Sequence, residues 1–152
     1  MAVDYPSRSR LPDWEKRLYN FLHDNRDALM VWGEFDCVLG LARGAVKAQT
    51  GEDLGEGHLG QYANERAAMR YLIANGWGRP DISEIERLAA FMDNFLRRER
   101  KGRRHRGNIV LLDSEGGAGF GVRVGSFAYV LHEGGGLHLV RIPKDVIEWK
   151  VT

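Results

Sequence analysis

Trp32-Gly33-Glu34-Phe35-Asp36-Cys37-Val38-Leu39 sets the single cysteine of the chain directly behind an aspartate, at the head of an apolar run through Leu41, Ala42, Ala45 and Val46 that Gly51 stops. Aspartate is a favoured N-cap because its carboxylate accepts from backbone N–H groups that the first helical turn leaves unpaired. The stretch therefore predicts a helix from Asp36 to about Thr50, with Cys37 in its first turn. A thiol so placed faces unpaired N–H groups and the positive end of the helix dipole, and both favour the nucleophilic thiolate. Cys37 is thus a candidate nucleophile. The competing reading is a small buried hydrophobe on an apolar helix.

Outward from this helix, the rest of the chain divides into a helical half and a glycine-rich strand half. Trp14, Leu18, Phe21 and Leu22 recur at helical spacing over Leu11–Asn25, with Pro12 and Asp13 as start signals. Gln61–Asn75 predicts a third helix with Ala67, Ala68, Tyr71 and Leu72 on its core face and Gly76 as its stop. Ile82 to about Arg98 predicts a fourth, introduced by Pro80 and Asp81 and carrying Ile85, Leu88, Ala89, Met92 and Leu96. Beyond Gly107, five short β-type runs follow: Asn108–Leu112, Phe120–Val124, Phe127–His132, Leu137–Ile142 and Ile147–Val151. Gly134-Gly135-Gly136 between two of them reads as a hairpin connection needing positive φ. Helices followed by strands predict an α+β fold, with N-terminal helices packed on a C-terminal antiparallel five-stranded sheet or half-barrel. Residues 1–152 read as one domain, and residues 1–12 as an extended N-terminal arm that either lies on a neighbouring subunit or frays.

Composition removes several classes of function. With 22 basic and 21 acidic residues the net charge is +1, so the molecule as a whole is no polyelectrolyte binder. One cysteine excludes an internal disulfide, and His23, His58, His105, His132 and His138 are too scattered for a zinc site, so no metal or cofactor is expected. No glycine cluster is followed by the Lys-Ser/Thr of a phosphate loop. No signal peptide is read at Met1-Ala2-Val3-Asp4, and no stretch approaches the ~20 apolar residues of a membrane span. A protein kept in the cytoplasm, or carried in a larger particle, fits these features.

The order of events resembles the NlpC-type papain-fold cysteine peptidases: a helix-starting Asp36-Cys37 after a Trp/Gly loop, then helices, then Gly107-Asn108-Ile109-Val110 and Gly121-Val122-Arg123-Val124-Gly125. More narrowly, Phe35-Asp36-Cys37, Thr50-Gly51-Glu52-Asp53, Gly60-Gln61-Tyr62, Gly136-Leu137 and Trp149 are similar to small relatives encoded in phage and prophage tail modules. The resemblance spans roughly residues 30 to 151 and implies a papain-like fold with Cys37 as nucleophile or its remnant. It also implies a general-base histidine on the strand aligned with Gly121–Gly125, where this chain has Gly119, and an aspartate where it has Asn108. Without a base in hydrogen-bond reach, a thiol loses the group that activates it. His132 and His138 flank a sharp hairpin and are the candidates for a displaced base or orienting group, with His58 as a third that could reach over the Cys37 helix.

Two functions follow as expectations from the resemblance. The first, favoured by Gly119, is a structural or assembly component of a bacteriophage tail, at the tail tip or hub, on a degenerate peptidase fold. Its partners would be distal-tail or hub proteins, and its location the virion tail after synthesis in the host cytoplasm. The alternative is an active cysteine peptidase or amidase cleaving peptidoglycan stem peptides during DNA entry.

Arg97, Arg98, Arg100, Lys101, Arg103, Arg104 and Arg106 place seven cations in ten residues, opposed only by Glu99. Cations at Arg97 and Arg98 would suit the C-terminus of the fourth helix. The run reads first as a solvated connector, second as a docking element for an acidic protein surface, and last as a nucleic-acid contact, since it carries no aromatic residue for base stacking.

Overall fold

The computed structural model describes residues 9–75, 82–114 and 117–151. Most of the N-terminal arm, the Gly76 stop and the Pro80-Asp81 start lie outside the described residues. Four helices and one π-helical segment precede or interleave a six-stranded sheet: α1 Trp14–Asp24, the π segment Cys37–Ala42, α2 Arg43–Thr50, α3 Glu65–Ala74, α4 Glu84–Asp93, then β1 Arg97–Arg98, β2 Ile109–Ser114, β3 Gly117–Val124, β4 Phe127–Leu131, β5 Leu137–Arg141 and β6 Ile147–Lys150. The strands lie in the order β1-β6-β2-β3-β4-β5, and every pairing is antiparallel, which gives an open sheet with helices packed on it. The α+β architecture is as the sequence implies, with β1 as an added sixth strand.

Local signals set most boundaries. Asn64 and Ser83 cap α3 and α4 through side-chain oxygens that accept from Ala67 N–H and Glu86 N–H. Gly51, at φ +80°, ends α2 with its N–H on the Lys47 carbonyl. Between Asp36 and Leu41 the ladder runs one residue wide, with Leu41 N–H donating to the Asp36 carbonyl at 3.1 Å.

The fourth helix is shorter than its apolar spacing predicts. It ends at Asp93, and Arg97 and Arg98 leave the helix to pair with Lys150 and Trp149. The Asp93 carboxylate instead accepts from the buried Trp149 indole at 2.8 Å and from Arg98 at 2.9–3.0 Å, which fixes the turn between helix and strand. Arg97 and Arg98 therefore stand on a sheet edge rather than at a helix C-terminus.

Strand alternation sorts the two faces. Ile109, Leu111, Phe120, Val122 and Trp149 face the helices and close the core with Leu41, Val46, Leu88 and Met92. The opposite face carries Arg123 and Glu148, a buried pair joined by two 2.8 Å hydrogen bonds. The described end of the arm packs on α1 and α2 of its own chain: Leu11 N–H donates to Gln49 O at 2.7 Å, and the Arg10 guanidinium lies 4.0 Å over Trp14.

Candidate functional site

Asp36 is 1% exposed and fully engaged. One carboxylate oxygen accepts from Val38 N–H at 2.9 Å and Leu39 N–H at 2.7 Å; the other accepts from Gly33 N–H at 3.0 Å and the Tyr62 hydroxyl at 2.8 Å. The predicted cap is therefore present, and it fills the helix N-terminus that was expected to favour a thiolate. Cys37 meets the neighbouring negative charge instead. Burial first, and the Asp36 carboxylate second, push its thiol up to about 12, against a smaller opposing effect of a hydrogen bond from the Phe120 backbone. At neutral pH the sulfur is a thiol.

The sulfur abuts the open half of a strand edge. β3 is eight residues long, but β4 pairs only with Gly121–Val124, so the Gly117–Phe120 half carries no β4 partner and the head of the π segment packs there. A Cβ at Gly119 would lie 3.6 Å from Cys37 Sγ and 3.8 Å from Cys37 Cβ. Position 119 thus faces the thiol, and the residue there brings no proton acceptor.

His132 and His138 are placed elsewhere. Their rings lie 4.7 Å apart, tilted by 33°, on the β4–β5 hairpin, both exposed, and His132 Nδ1 accepts from Gly134 N–H at 3.0 Å. Neither lines the cavity at Cys37. That cavity, about 40 Å³, is bounded by Cys37, His58, Tyr62, Tyr71 and Glu84, with Met69, Leu72, Leu88 and Phe91 as apolar walls. Of the five histidines, His58 is the one in this lining; its Nδ1 hydrogen-bonds the Tyr71 hydroxyl, and its ring meets Phe91 and Phe95 edge-on.

The sequence reading missed Tyr62, Tyr71 and Glu84 as site residues. Burial and the Asp36 charge push the Tyr62 phenol upward, so it serves as a donor to that carboxylate. Glu84 is pushed upward by burial and then by Glu65, with a hydrogen bond from the Ala118 backbone opposing. Tyr62 stood in a quoted motif, but nothing in the sequence marks Glu84 from other acids in first helical turns. Among the described residues, no group of three or more Cys, His, Asp and Glu converges to hold a metal ion. No described helix is long and apolar enough to cross a membrane.

The basic run contributes nothing to this cavity. Arg98 pairs with Asp93, Lys101 approaches Asp145 at 3.9 Å, Arg106 approaches Glu15 at 3.8 Å, and Arg100, Arg103 and Arg104 are exposed on the β1–β2 connector.

A family model described as a domain of unknown function, DUF6950, matches residues 9–151, and the chain belongs to that family. No curated protein and no solved structure matches the chain.

Proposed function

We propose that this DUF6950 domain is a structural or assembly component of a bacteriophage tail, in the tail-tip or hub region, on an NlpC-type papain-like fold that has lost its peptidase chemistry. The observation that carries the loss is the contact between position 119 and Cys37 Sγ: the strand residue facing the sulfur is glycine. A thiol held at about 12 is ionised to only ~1 part in 10⁵ at pH 7. Removing a general base costs a further ~10²- to 10⁴-fold. The tail setting rests on the motifs Phe35-Asp36-Cys37, Thr50-Gly51-Glu52-Asp53 and Gly60-Gln61-Tyr62, and its partners would be distal-tail or hub proteins in the virion.

The alternative, a cysteine peptidase or amidase acting on peptidoglycan stem peptides, draws support from one feature, the sharing of a cavity by Cys37 and His58. Incubating purified cell wall with the wild type and with Cys37→Ala separates the two. The structural reading expects no Cys37-dependent release of fragments, together with co-assembly with a distal-tail or hub protein. Fragments that vanish in Cys37→Ala would replace it with the enzymatic one.

A further inference from the structure

The connector from β1 to β2 bears most of the basic run, and it is ordered from both ends. At its start, Glu99 N–H donates to the Glu148 carbonyl at 2.8 Å. The Glu99 carboxylate in turn receives Arg100 N–H at 2.9 Å, His105 Nδ1 at 3.1 Å and Asn108 Nδ2 at 3.1 Å. Asn108 Nδ2 also donates to Glu148 at 2.8 Å, so the connector is rooted in the buried Arg123–Glu148 pair. At its end, Gly107 N–H donates to Arg123 O at 2.9 Å, and the Gly107 carbonyl accepts from Gln49 at 2.9 Å. Arg10 holds the Arg106 carbonyl at 2.6 Å. Within the loop, Arg103 N–H closes on Arg100 O at 3.0 Å.

The cations take no part in this ordering. Arg100, Lys101, Arg103 and Arg104 all point into solvent; among the described residues the three arginines form no ion pair, and Lys101 meets Asp145 with both side chains 89% exposed. Holding like charges together in a fixed loop costs free energy that a mere connector has no reason to spend, whereas fixing them in advance lowers the ordering cost of binding. Guanidinium groups fit carboxylates and phosphates alike in two-pronged hydrogen bonds. The flanks decide between them. Asp93, Asp145 and Glu15 border the patch through Arg98, Lys101 and Arg106 and confine the unpaired arginines to one short loop, which offers discrete contacts to scattered surface carboxylates but no extended cationic track for a duplex backbone. No aromatic residue stands in 97–106 to stack on bases.

We propose that residues 99–107 form a preordered cationic finger that docks on a carboxylate-rich protein surface. This assignment is independent of the tail reading and of the Cys37 cavity. The test measures binding of the full chain to a fluorescent decaglutamate peptide, beside a duplex DNA of equal charge, across a salt series. Arg100→Ser/Arg103→Ser/Arg104→Ser, all exposed, is expected to weaken decaglutamate binding at least about tenfold and to flatten its salt dependence. Glu99→Gln is the sharper variant, because it adds one positive charge while loosening the root of the loop. It is expected to bind more weakly than wild type, with His105→Gln following in the same direction. Equal or tighter binding by a folded Glu99→Gln, as bulk charge alone would give, overturns the preordered finger. Absence of decaglutamate binding, or preference for the duplex, overturns the carboxylate partner.

Discussion

Replacing Gly119 by histidine puts the geometry at Cys37 to a direct test. Gly119 is not among the positive-φ glycines, so a side chain meets no backbone obstacle there. Among the described residues its Cβ would touch only Cys37, at 3.6 Å from Sγ and 3.8 Å from Cβ, both ordinary van der Waals contacts. An imidazole built from that Cβ then comes within about 4 Å of the sulfur, where an imidazolium–thiolate attraction is about 4 kcal/mol at an effective dielectric of 20. At 1.36 kcal/mol per pKa unit this is about three units, enough to bring the thiol from about 12 back to the ordinary cysteine value of 9.0. Desolvation of the imidazolium offsets part of it, and opposite charges at such distances typically shift a group by about 1–3 units.

The thiolate fraction at pH 7.5 should therefore rise by about 10- to 1,000-fold, and alkylation by iodoacetamide should rise with it. Intact-mass measurement of the alkylated fraction against time, from pH 6 to 10, gives the rates. Gly119→Gln occupies the same space without a titratable group and is expected to stay at the wild-type rate. A Gly119→His protein with a wild-type melting curve and a wild-type alkylation rate would refute the placement of position 119 against the sulfur.

Asp36→Ala removes the acceptor of four hydrogen bonds at a buried helix start and should cost at least about 3 kcal/mol in urea unfolding, combining a lost cap with stranded donors; it should also speed Cys37 alkylation by removing the adjacent negative charge. Gly107→Ala drives a Cβ into Gln49 Oε1 on backbone at φ +87°, and should lower stability by about 2 kcal/mol in thermal melts, with loss of the Gln49 contacts. Asp53 accepts from Arg43 at 2.6 and 2.7 Å, and that hydrogen-bonded guanidinium holds its carboxyl below the usual range against the opposing effect of burial. A depressed carboxyl stabilises the fold above its unfolded pKa and loses that contribution as pH falls through its folded pKa. Urea midpoints should accordingly show an acid-side loss below about pH 4, worth under about 1 kcal/mol for this partly exposed pair, that Asp53→Asn lacks.

What the sequence disclosed and what it withheld divide along the range of the interactions. Asp36, Gly51 and the apolar spacing around them are local, and they place the Cys37 helix as predicted. The hairpin glycines are local too: Gly135 and Gly136 have φ of +99° and +86°. Apolar spacing over-extends the fourth helix because Met92 and Leu96 keep helical spacing, while the residue that holds its end in place, Trp149, lies 56 positions from Asp93. The lining at Cys37 is equally non-local. Tyr62, Tyr71 and Glu84 come from a loop and two helices whose meeting no short motif encodes. The placement of position 119 against the sulfur is likewise set by strand register, a tertiary property that no short motif encodes.

The fate of the cysteine turns on which group occupies the helix start. Open N–H groups at that position stabilise an anion, and a thiolate is one candidate anion among several. Here the Asp36 carboxylate takes Val38 N–H and Leu39 N–H itself, is fixed by Tyr62 and Gly33, and leaves its charge beside the sulfur. A stronger cap therefore makes a weaker nucleophile, because one dipole cannot serve both anions. A cation on the far side of the sulfur would reverse that balance, and the strand residue facing it there is Gly119. The same carboxylate thus holds the helix start and adds to the effect of burial on the thiol, so a base at position 119 would let a strong cap at Asp36 coexist with an ionisable Cys37.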